Sequence, residues 1–495
     1  MNLSMSDKHV DLLLINPPYH RRSGSGVVFP LGLGYIASAV LNAGFGVKIL
    51  DSASYFESLD LKTLSSFRTW LIEILSRSRP NLAIGVGPCT TTSVRSLHVI
   101  SEVCKQTYPD LPVIYGGPLT SLPGSENLFL EELSATGIVL GDGENIICDI
   151  LRYLTNNQCL DSINGLRTSV SGPVKTNVIR DLDSLRFPLR PEKGVGNYSL
   201  SVRRQICNGP FATIIASRGC PYHCTYCTSG LLRDGNYNRR SLRNIVDEMH
   251  QLINTFGIES LVFYDDAFFP SSEKLHDDVE AFADSLCALQ KPITWQIEIR
   301  PNVLLSMDSR IAKLLFKTGC RQINIGIEKS EFAASLSLGK NVNPDRLRET
   351  CKKILAVTPQ MRLTGTFIIG GRGESFSTVQ QMEEYANSLG LLFAHFYPLE
   401  VYPGTDLYNE LHSTKEELWW HSQIMTHDLP WGEILYEDNT QDGRLLLDWV
   451  NHAYRSFYGN PEWQTRASHV LGKRYPVVLP QIMEWQTNRF RLQRG

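Results

Sequence analysis

Short apolar runs that end in Gly or Pro alternate with helix-length segments from about residue 9 to 150. This alternation is typical of a parallel sheet with crossover helices, in which each strand is buried on both faces. It predicts a doubly wound α/β domain over residues 9–150. The predicted strands are 10–16, 46–51, 82–86, 113–116 and 137–140.

The same alternation returns from residue 212 to 411, after a connector over residues 151–211 that contains the Pro-rich segment 187–191. Six βα units predict an open or partial (β/α)6 barrel, and Ser241 is a candidate N-cap for its first helix. We expect residues 412–495, which are rich in Trp, to form a mainly helical region. The predicted strands are 213–216, 260–264, 294–299, 323–327, 365–369 and 393–398.

Length and charge exclude several classes of protein. A chain of 495 residues is long enough for two to four domains, taking roughly 100 to 200 residues for each. With 48 basic and 51 acidic residues, it has no net charge that favours nucleic acid or an anionic membrane. Its apolar stretches fall short of the roughly 20 residues of a membrane span, and no secretory signal begins the sequence. We therefore expect a cytoplasmic protein whose eleven cysteines are thiols or metal ligands.

Three cysteines form the strongest chemical motif. Cys220, Cys224 and Cys227 have C-x3-C-x2-C spacing directly after the first predicted strand of the second domain. Three thiolates on one loop can bind three irons of a [4Fe-4S] cube and leave the fourth iron open for another ligand. A zinc site is the alternative, with Cys207 or His223 as its fourth ligand.

This motif resembles that of the radical S-adenosylmethionine superfamily, including an aromatic residue, Tyr226, directly before the last cysteine. The resemblance covers about residues 212–411. It implies that the three cysteines bind the cluster and that S-adenosylmethionine binds the open iron, where reductive cleavage yields a 5'-deoxyadenosyl radical. It also implies a flavodoxin- or ferredoxin-type electron donor.

Further loops at the carboxyl ends of the barrel strands are expected to surround the cofactor, because barrel chemistry is built at that face. The resemblance places them around the amino, ribose and methionine groups of S-adenosylmethionine. Each also has a simpler interpretation, as an acid at a helix start or as a plain turn, and Arg372 stands where the family usually has Pro. Arg300 is a candidate partner for a carboxylate, or a member of a structural salt bridge. The expected cofactor residues are Asp265, Asp266, Glu328, Ser330, Gly370 and Gly371.

The N-terminal domain resembles the Rossmann-like cobalamin-binding domain that precedes the barrel in B12-binding radical S-adenosylmethionine enzymes, on the segments 15–18 and 29–37. The Asp-x-His-x-x-Gly motif is missing, since Leu12 stands where Gly is needed after Asp7 and His9. The resemblance therefore implies cobalamin bound without a protein histidine on cobalt. A dinucleotide site over Gly32 to Ala37 is disfavoured because Gly32 lies sixteen residues beyond Asn16.

Ligands of doubly wound sheets bind beyond the carboxyl ends of the strands, and the residues there are the candidate corrinoid contacts. The alternative is that the domain keeps its fold without binding a corrinoid, with the hydroxyl residues capping helices. The candidates are Asn16, Pro17, Thr90, Thr91, Thr92, Gly116, Gly117, Thr120, Ser121, Gly141 and Glu144.

Candidate catalytic residues are fewer. Tyr237 and Cys320, with Cys351, are proposed proton or hydrogen donors at the barrel mouth, and His395 lies at the sixth strand with Glu400 and Tyr402. A lone Cys is, however, most often a small buried hydrophobe.

The resemblance implies a cobalamin-dependent radical methyltransferase that methylates an unactivated carbon of a small molecule, in a biosynthetic pathway. Two alternatives stay open. One is a radical dehydratase, epimerase or cyclase that does not need cobalamin. The other is a non-catalytic iron–sulfur electron carrier or zinc-stabilised binding protein, which ligation by Cys207 would favour.

Overall fold

The fold is given by a computed structural model. It describes residues 10–19, 27–56, 61–77, 79–172, 174–191, 198, 209–289, 291–331, 334, 337–412 and 443–488.

The N-terminal domain is a six-stranded sheet in the order β2-β1-β3-β4-β5-β6, parallel except for β6, which is antiparallel to β5. Five of its strands lie within two residues of the predicted positions, and β6 lies in the region expected to be a connector. The strands are β1 (Leu12–Asn16), β2 (Val47–Asp51), β3 (Ala83–Val86), β4 (Val113–Gly116), β5 (Gly137–Val139) and β6 (Leu166–Arg167).

Alternate residues of β1 belong to different helix layers, because successive side chains of a strand point to opposite faces. Leu13 and Ile15 pack in the core shared with the second and third helices, whereas Leu12 and Leu14 pack with the first and fourth. All five residues of β1 are buried. This two-sided burial explains the continuous apolar run in the sequence. The helices are α1 (Leu31–Asn42), α2 (Leu61–Ser76), α3 (Val94–Thr107) and α4 (Glu144–Thr155).

The strand order places a topological switch point between β1 and β3, where the chain first goes to one side of β1 and then to the other. Loops that leave neighbouring strands in opposite directions open a crevice at such a point. The loop after Asn16 and the loop after Val86 flank this crevice. The predicted ligand edge of the sheet therefore exists as a structural feature.

The second domain is an open barrel of six parallel strands in the order β14-β13-β12-β11-β10-β7, as the βα pattern predicts. The strands are β7 (Phe211–Ile214), β8 (Ser217–Arg218), β9 (Asn238–Arg239), β10 (Ser260–Phe263), β11 (Thr294–Ile299), β12 (Cys320–Glu328), β13 (Arg362–Ile369) and β14 (Phe393–Pro398). The helices are α5 (Leu242–Phe256), α6 (Leu275–Leu286), α7 (Pro301–Leu304), α8 (Ser309–Lys317), α9 (Pro344–Val357), α10 (Phe376–Ser388) and α11 (Asp406–His412).

Helix α5 shows how local sequence sets these boundaries. The Ser241 side chain accepts a hydrogen bond from the Asn244 backbone amide at 3.1 Å, which caps the first turn as predicted. Gly257 ends the helix with a φ of +66°, a conformation that Gly adopts without steric cost. Ile245, Met249 and Leu252 are buried against the sheet.

A C-terminal helical unit covers the exposed edge of the barrel sheet at β14. Its helices are α12 (Gly443–Gly459), α13 (Pro461–Leu471) and α14 (Tyr475–Asn488). The Phe396 amide donates to the Tyr454 hydroxyl at 2.9 Å, the Tyr458 hydroxyl donates to the Ala394 carbonyl at 3.0 Å, and the Trp463 indole donates to the Leu392 carbonyl at 2.7 Å. These contacts satisfy backbone groups that an edge strand otherwise leaves open to pairing with another chain.

The expected helical C-terminus is thus confirmed for residues 443–488. Three of the six tryptophans in the expected helical region 412–495, Trp419, Trp420 and Trp431, lie outside the described residues. In the part of the chain that the structure describes, no helix has the length and apolar character needed to cross a bilayer.

Candidate functional site

The three motif cysteines lie on one loop, residues 219–237, that follows β8 at the carboxyl end of β7. The short pair β8 and β9 closes the loop at its base, with Ser217 opposite Arg239. Gly219 has a φ of +83°, and a Cβ there would lie 2.1 Å from the Asn236 carbonyl oxygen. Only Gly therefore allows the two ends of the loop to approach so closely.

The thiols of Cys220, Cys224 and Cys227 are partly exposed, whereas five other described cysteines are buried: Cys89, Cys104, Cys148, Cys320 and Cys351. Burial raises the pKa of Cys220 and of Cys227, and the charges of the neighbouring thiolates and of Asp266 raise both further. The three sulfurs therefore lie close enough to repel one another as thiolates. Bound iron would remove that repulsion.

This donor set fits a cube in which each thiolate binds a different iron. Among the described residues, no three His, Cys, Asp or Glu side chains are placed to share one metal ion. Cys207, the alternative fourth ligand of a zinc site, lies outside the described residues. The assignment of the cysteines as cluster ligands stays a prediction.

Arg300 lies against the cysteine loop. Its Nη1 donates to the Cys224 sulfur at 2.8 Å and its Nη2 donates to the Gly339 carbonyl at 2.6 Å. The guanidinium carbon stands 4.1 Å from the centroid of the Tyr222 ring. The sequence offered two partners for Arg300, a carboxylate of cofactor or substrate or a structural salt bridge. Among the described residues, its hydrogen-bond acceptors are the Cys224 sulfur and the Gly339 carbonyl.

Glu328 ends β12 in a left-handed backbone conformation, with a φ of +68°. The pairing of β12 with β13 is irregular between Gly326 and Glu328, and such irregularities re-aim side chains at active sites. The Lys340 ammonium donates to Glu328 Oε1 at 2.7 Å. Burial and the hydrogen bond to Glu328 hold the pKa of the Tyr226 hydroxyl well above its usual range. Tyr226 and Glu328, both expected cofactor residues, are thus brought together beside Cys227.

Asp265 is buried and accepts hydrogen bonds from the protein's own groups. Its carboxylate accepts from the Ala216 amide at 3.0 Å and from the Ser217 hydroxyl at 2.6 Å, and only 3% of the residue is exposed. Burial raises the pKa of Asp265 to about 7. This residue therefore anchors the base of the cysteine loop, and its expected role as a cofactor contact stays a prediction. Asp266, next in the chain, is exposed at the barrel mouth.

The turn at Gly370 and Gly371 is built by a buried ion pair. Lys329 donates to the Ile368 carbonyl at 2.8 Å, to the Gly370 carbonyl at 2.9 Å and to Glu374 Oε1 at 2.9 Å. The two glycines have φ values of +112° and +119°, which favour Gly. Ser330 is partly exposed directly after this lysine. The turn lies at the predicted face, and its role toward a cofactor stays a prediction.

Two of the proposed catalytic residues lie near the barrel mouth. The Tyr237 hydroxyl donates to the Ala267 carbonyl at 3.0 Å, and burial raises its pKa to about 12. His395 lies on β14, with its Nδ1 2.9 Å from the Tyr397 hydroxyl. The hydroxyl of Tyr402 donates to the Glu400 carboxylate. Catalytic roles for Tyr237 and His395 stay predictions.

The expectation for the two candidate cysteines is wrong. Cys320 begins β12, whereas Glu328 ends that strand at the cofactor face, so the thiol is at the opposite end of the barrel. Cys351 lies within α9 in the outer helix layer. Both residues are fully buried, and burial raises the pKa of each thiol to about 12. They are core residues.

In the N-terminal domain, the Asn16 side chain is hydrogen-bonded to Asp51. Its Nδ2 donates to Asp51 Oδ1 at 2.6 Å, and the Tyr198 hydroxyl donates to Asp51 Oδ2 at 2.8 Å. Asn16 is 5% exposed, and Pro17 beside it is buried. The pair joins the ends of β1 and β2.

The hydroxyl residues at the next loops mostly bond to the protein. The Thr90 amide donates to Ser93 Oγ at 2.9 Å, in a capping box, and the Thr90 and Thr92 hydroxyls are 2.9 Å apart. Thr120 donates to the Val139 carbonyl at 2.7 Å. These caps match the alternative interpretation, in which the hydroxyls build local structure. Thr91 is buried and Ser121 is partly exposed.

The glycines of this face are required by close packing of the loops on one another. A Cβ on Gly117, whose φ is +128°, would lie 2.4 Å from the Cys89 amide nitrogen. A Cβ on Gly141 would lie 2.2 Å from the Asn177 carbonyl oxygen. Gly116 has only ordinary contact, at 3.7 Å from Val139. Internal packing therefore explains two of the three glycines.

A buried ionic network, which sequence reasoning missed, joins the two domains. Arg218, at the base of the cysteine loop, donates to Asp142 Oδ1 at 3.0 Å and to Glu144 Oε1 at 2.6 Å. Arg233 pairs with the same Asp142. Asp142 and Glu144 are at most 8% exposed, and Arg218 stacks at 5.1 Å on the Tyr35 ring. The carboxyl-end loop of the first sheet is therefore fixed directly against the cysteine loop.

The inner face of the barrel carries uncharged polar side chains, another feature missed from the sequence. Trp295 and Ile297 pack in the core on the helix side of β11, so the alternate residue Gln296 points inward. Gln322 Nε2 donates to Asn324 Oδ1 at 2.8 Å. The alternation of polar and apolar residues in strands β11 to β13 was the available signal.

Comparison with known proteins supports this architecture. The family model described as the Radical SAM superfamily matches residues 214–386. An uncharacterized methyltransferase of Pyrococcus horikoshii is 25% identical over 92% of this chain and 94% of its own length. Cytidylyl-2-hydroxyethylphosphonate methyltransferase of Streptomyces wedmorensis is 23% identical over 81% of this chain and 82% of its own.

Among solved structures, the radical S-adenosylmethionine methyltransferase TsrM of Kitasatospora setae, with cobalamin and a [4Fe-4S] cluster bound, superposes with a TM-score of 0.64. It is 17% identical and covers 97% of this chain and 99% of its own. The shared fold therefore extends over both domains.

The chain thus combines a doubly wound domain with an open barrel whose first loop carries three cysteines. The barrel segment 214–386 matches the Radical SAM superfamily, and the fold over both domains is similar to that of TsrM. Members of this superfamily use a [4Fe-4S] cluster and S-adenosylmethionine.

Proposed function

We propose that the protein is a cobalamin-dependent radical S-adenosylmethionine methyltransferase that methylates an unactivated carbon of a small molecule. The observation that carries the proposal is the buried network of Arg218, Arg233, Asp142 and Glu144. It fixes the carboxyl-end loops of the two domains against each other, so that ligands bound at both would face one reaction space. The methyltransferase names of the relatives support the same activity.

The proposed roles of the protein follow from the contacts. When bound, the cluster with S-adenosylmethionine supplies a 5'-deoxyadenosyl radical that abstracts hydrogen, and cobalamin supplies the methyl group. Cys220, Cys224 and Cys227 would hold the cluster, and Tyr226 with Glu328 would bind S-adenosylmethionine. Asp265 keeps the base of the cysteine loop in place through the Ala216 amide. The interlocked loops would exclude water from the reacting groups.

The corrinoid would lie over the switch point of the first sheet, between the loops that follow Asn16 and Val86. Glu144 supports this placement, because its Oε2 is buried and has no hydrogen-bond partner among the described residues. A buried carboxylate oxygen without a donor is costly, and an amide of the corrin periphery is the type of group that would satisfy it. Asn16, Thr91 and Gly116 border the same space.

The polar inner face of the barrel supports a small polar substrate. Gln322 Oε1 and Thr364 Oγ1 are buried acceptors without a hydrogen-bond partner among the described residues, and Asn324 lies beside them. A ligand bearing hydroxyl or amine groups would satisfy such acceptors, as buried polar groups require. His395 borders this space on β14 and would contact the same ligand.

The proposal includes a flavodoxin- or ferredoxin-type electron donor and a cytoplasmic site of action. Both are expected because reductive cleavage needs a low-potential one-electron donor, which reducing compartments supply.

The test uses the full-length protein, purified and reconstituted without oxygen with iron, sulfide and hydroxocobalamin. Incubation with S-adenosylmethionine and a strong reductant is expected to release both S-adenosylhomocysteine and 5'-deoxyadenosine. The variant Cys224→Ala, reconstituted in the same way, is expected to release no 5'-deoxyadenosine. Cys287→Ala, an exposed thiol away from the loop, serves as the control.

Release of 5'-deoxyadenosine without S-adenosylhomocysteine would contradict methyl transfer. That result would indicate a radical dehydratase, epimerase or cyclase. Release of neither product by a protein with an intact cluster would contradict enzymatic activity of this class altogether.

A further inference from the structure

We propose that Arg300 is a positioning residue that raises the reduction potential of the cluster through its hydrogen bond to the Cys224 sulfur. The inference rests on the proposed function, since it requires that Cys224 bind iron. It goes beyond that function because it assigns to a residue outside the cysteine motif the control of how readily the cluster accepts an electron.

The geometry holds Arg300 at the sulfur by three separate contacts. Nη1 donates to Cys224 Sγ at 2.8 Å, Nη2 donates to the Gly339 carbonyl at 2.6 Å, and the guanidinium plane covers the Tyr222 ring at 4.1 Å. The Tyr222 hydroxyl is itself bonded to the Pro270 carbonyl at 2.8 Å. A planar, bidentate donor stacked on an aromatic ring has little freedom to move away.

Gly339 explains how the barrel brings this donor to the cysteine loop. Its φ is +76°, and a Cβ there would lie 3.0 Å from the His223 carbonyl oxygen and 3.3 Å from the Cys224 Cα. The segment after β12 therefore packs directly on the cysteine loop. Arg300 bridges the two segments at that contact.

The charge of Arg300 is directed to one sulfur. Cys220 interacts with the Tyr222 backbone amide and Cys227 with Ser229, both of which are neutral. Within the described residues, Arg300 forms no ion pair with a carboxylate, so its positive charge is not neutralised by the protein there. Cys224 is thus the cysteine with a cationic donor.

A cationic donor to a ligand sulfur favours the reduced cluster. Reduction adds one electron from an external donor to the cluster, which places more negative charge on the iron-bound sulfurs. Hydrogen bonds to those sulfurs and nearby charge are recognised determinants of the potential, and charge-assisted hydrogen bonds are the stronger kind. Loss of Arg300 is therefore expected to make reduction less favourable.

The experiment is a redox titration of the reconstituted holoenzyme without S-adenosylmethionine, in which the electron paramagnetic resonance signal of the reduced cluster is followed. For Arg300→Met, we expect the equilibrium constant for reduction to fall about tenfold, which is about 59 mV for a one-electron couple. Arg300→Lys keeps the charge without the bidentate geometry, and its potential is expected between those of Arg300→Met and the wild type.

Arg321→Met is the matched control. Arg321 also covers an aromatic ring, that of Phe316 at 4.3 Å, and donates to a carbonyl at 2.6 Å. Arg321 lies at the amino end of β12, away from the cysteine loop. The variant Arg321→Met is therefore expected to leave the reduction potential of the cluster unchanged.

An unchanged potential in both Arg300 variants, with iron and sulfide contents equal to those of the wild type, would overturn the inference. If the potential is unchanged and the affinity for S-adenosylmethionine falls, Arg300 is a cofactor carboxylate-binding residue, and the inference is also overturned. If Arg300→Met binds no cluster, Arg300→Lys provides the test. A potential below that of the wild type supports the inference, and a potential equal to it overturns the inference. A wild-type protein that binds no cluster overturns the proposed function itself, and the inference with it.

Discussion

The two loop sets that face each other use their polar groups in opposite ways. On the barrel side, three thiols are partly exposed and one of them accepts a cationic donor, Arg300. On the side of the N-terminal sheet, Thr90, Thr120 and Asn16 bond to the protein's own groups. The barrel side presents partly exposed thiols, whereas the polar groups named on the sheet side are already hydrogen-bonded within the protein.

This difference follows from the kind of ligand each side is proposed to bind. A metal cluster is held by strong bonds to a few side chains, so those residues must be left available. A large organic cofactor is held by shape and by many weak contacts, for which a rigid, well-packed surface suffices.

The barrel side depends on its thiols. Any of Cys220→Ala, Cys224→Ala or Cys227→Ala is expected to abolish cluster binding, because a cube with an open iron needs all three thiolates. Iron and sulfide analysis with the visible absorption spectrum measures this. Cys287→Ala is the control, and a variant of the motif that retains a full cluster would contradict the comparison.

The contact between the cysteine loop and the N-terminal sheet depends on buried ion pairs of Arg218. Arg218→Met leaves Asp142 and Glu144 with less compensation, and we expect the free energy of unfolding to fall by about 3–5 kcal/mol. Urea denaturation followed by circular dichroism measures the change. Lys353→Met, which removes an exposed pair with Glu349 at 3.9 Å, is expected to have little effect. Equal stability of the two variants would show that the domains are not joined at Arg218.

The sheet side depends on close backbone packing. Gly117→Ala places a Cβ 2.4 Å from the Cys89 amide nitrogen, whereas Gly44→Ala, also at positive φ, meets nothing within 4 Å. Both substitutions cost about 1–2 kcal/mol in backbone strain, and the clash at Gly117 adds about 1–3 kcal/mol. The difference between their urea midpoints isolates the clash. Equal midpoints would mean that the loop at Gly117 is free to move.

The contribution of Asp265, at the base of the cysteine loop, to the free energy of unfolding depends on its protonation. Burial raises the pKa of Asp265 to about 7 from its ordinary value of about 3.8, so the folded state binds the proton more tightly. This residue therefore lowers the free energy of unfolding as pH rises from about 4 to about 7, by about 1.4 kcal/mol per pH unit within that window.

Asp265→Asn stays neutral and is expected to lack this contribution. Urea midpoints of wild type and variant at pH 5 and pH 6 give the difference in slope. Parallel pH dependence of the two proteins would contradict a raised pKa for Asp265.

The sequence predicted the regular elements well, because they carry periodic signals. The strand predictions at 294–299 and 393–398 coincide with β11 and β14, and the Ser241 cap begins α5 as expected. The strands it missed, β6, β8 and β9, have two residues each. Two residues are too few to show alternation.

The candidate site was predictable only where its residues are neighbours in sequence. The cysteine motif is local, whereas Arg300 and Cys224 are 76 residues apart, as are Arg218 and Asp142. Such contacts arise from the tertiary arrangement and have no local pattern. Cys320 is different, because it precedes the predicted strand 323–327 and so had to lie at the amino end of the barrel.

We propose that a corrinoid and a cluster occupy the two facing loop sets. The most direct measurement is the corrinoid retained after anaerobic reconstitution with iron, sulfide and hydroxocobalamin and removal of unbound cofactor. We expect about one corrinoid per chain together with a cluster. A complete cluster with no retained corrinoid would contradict the proposal.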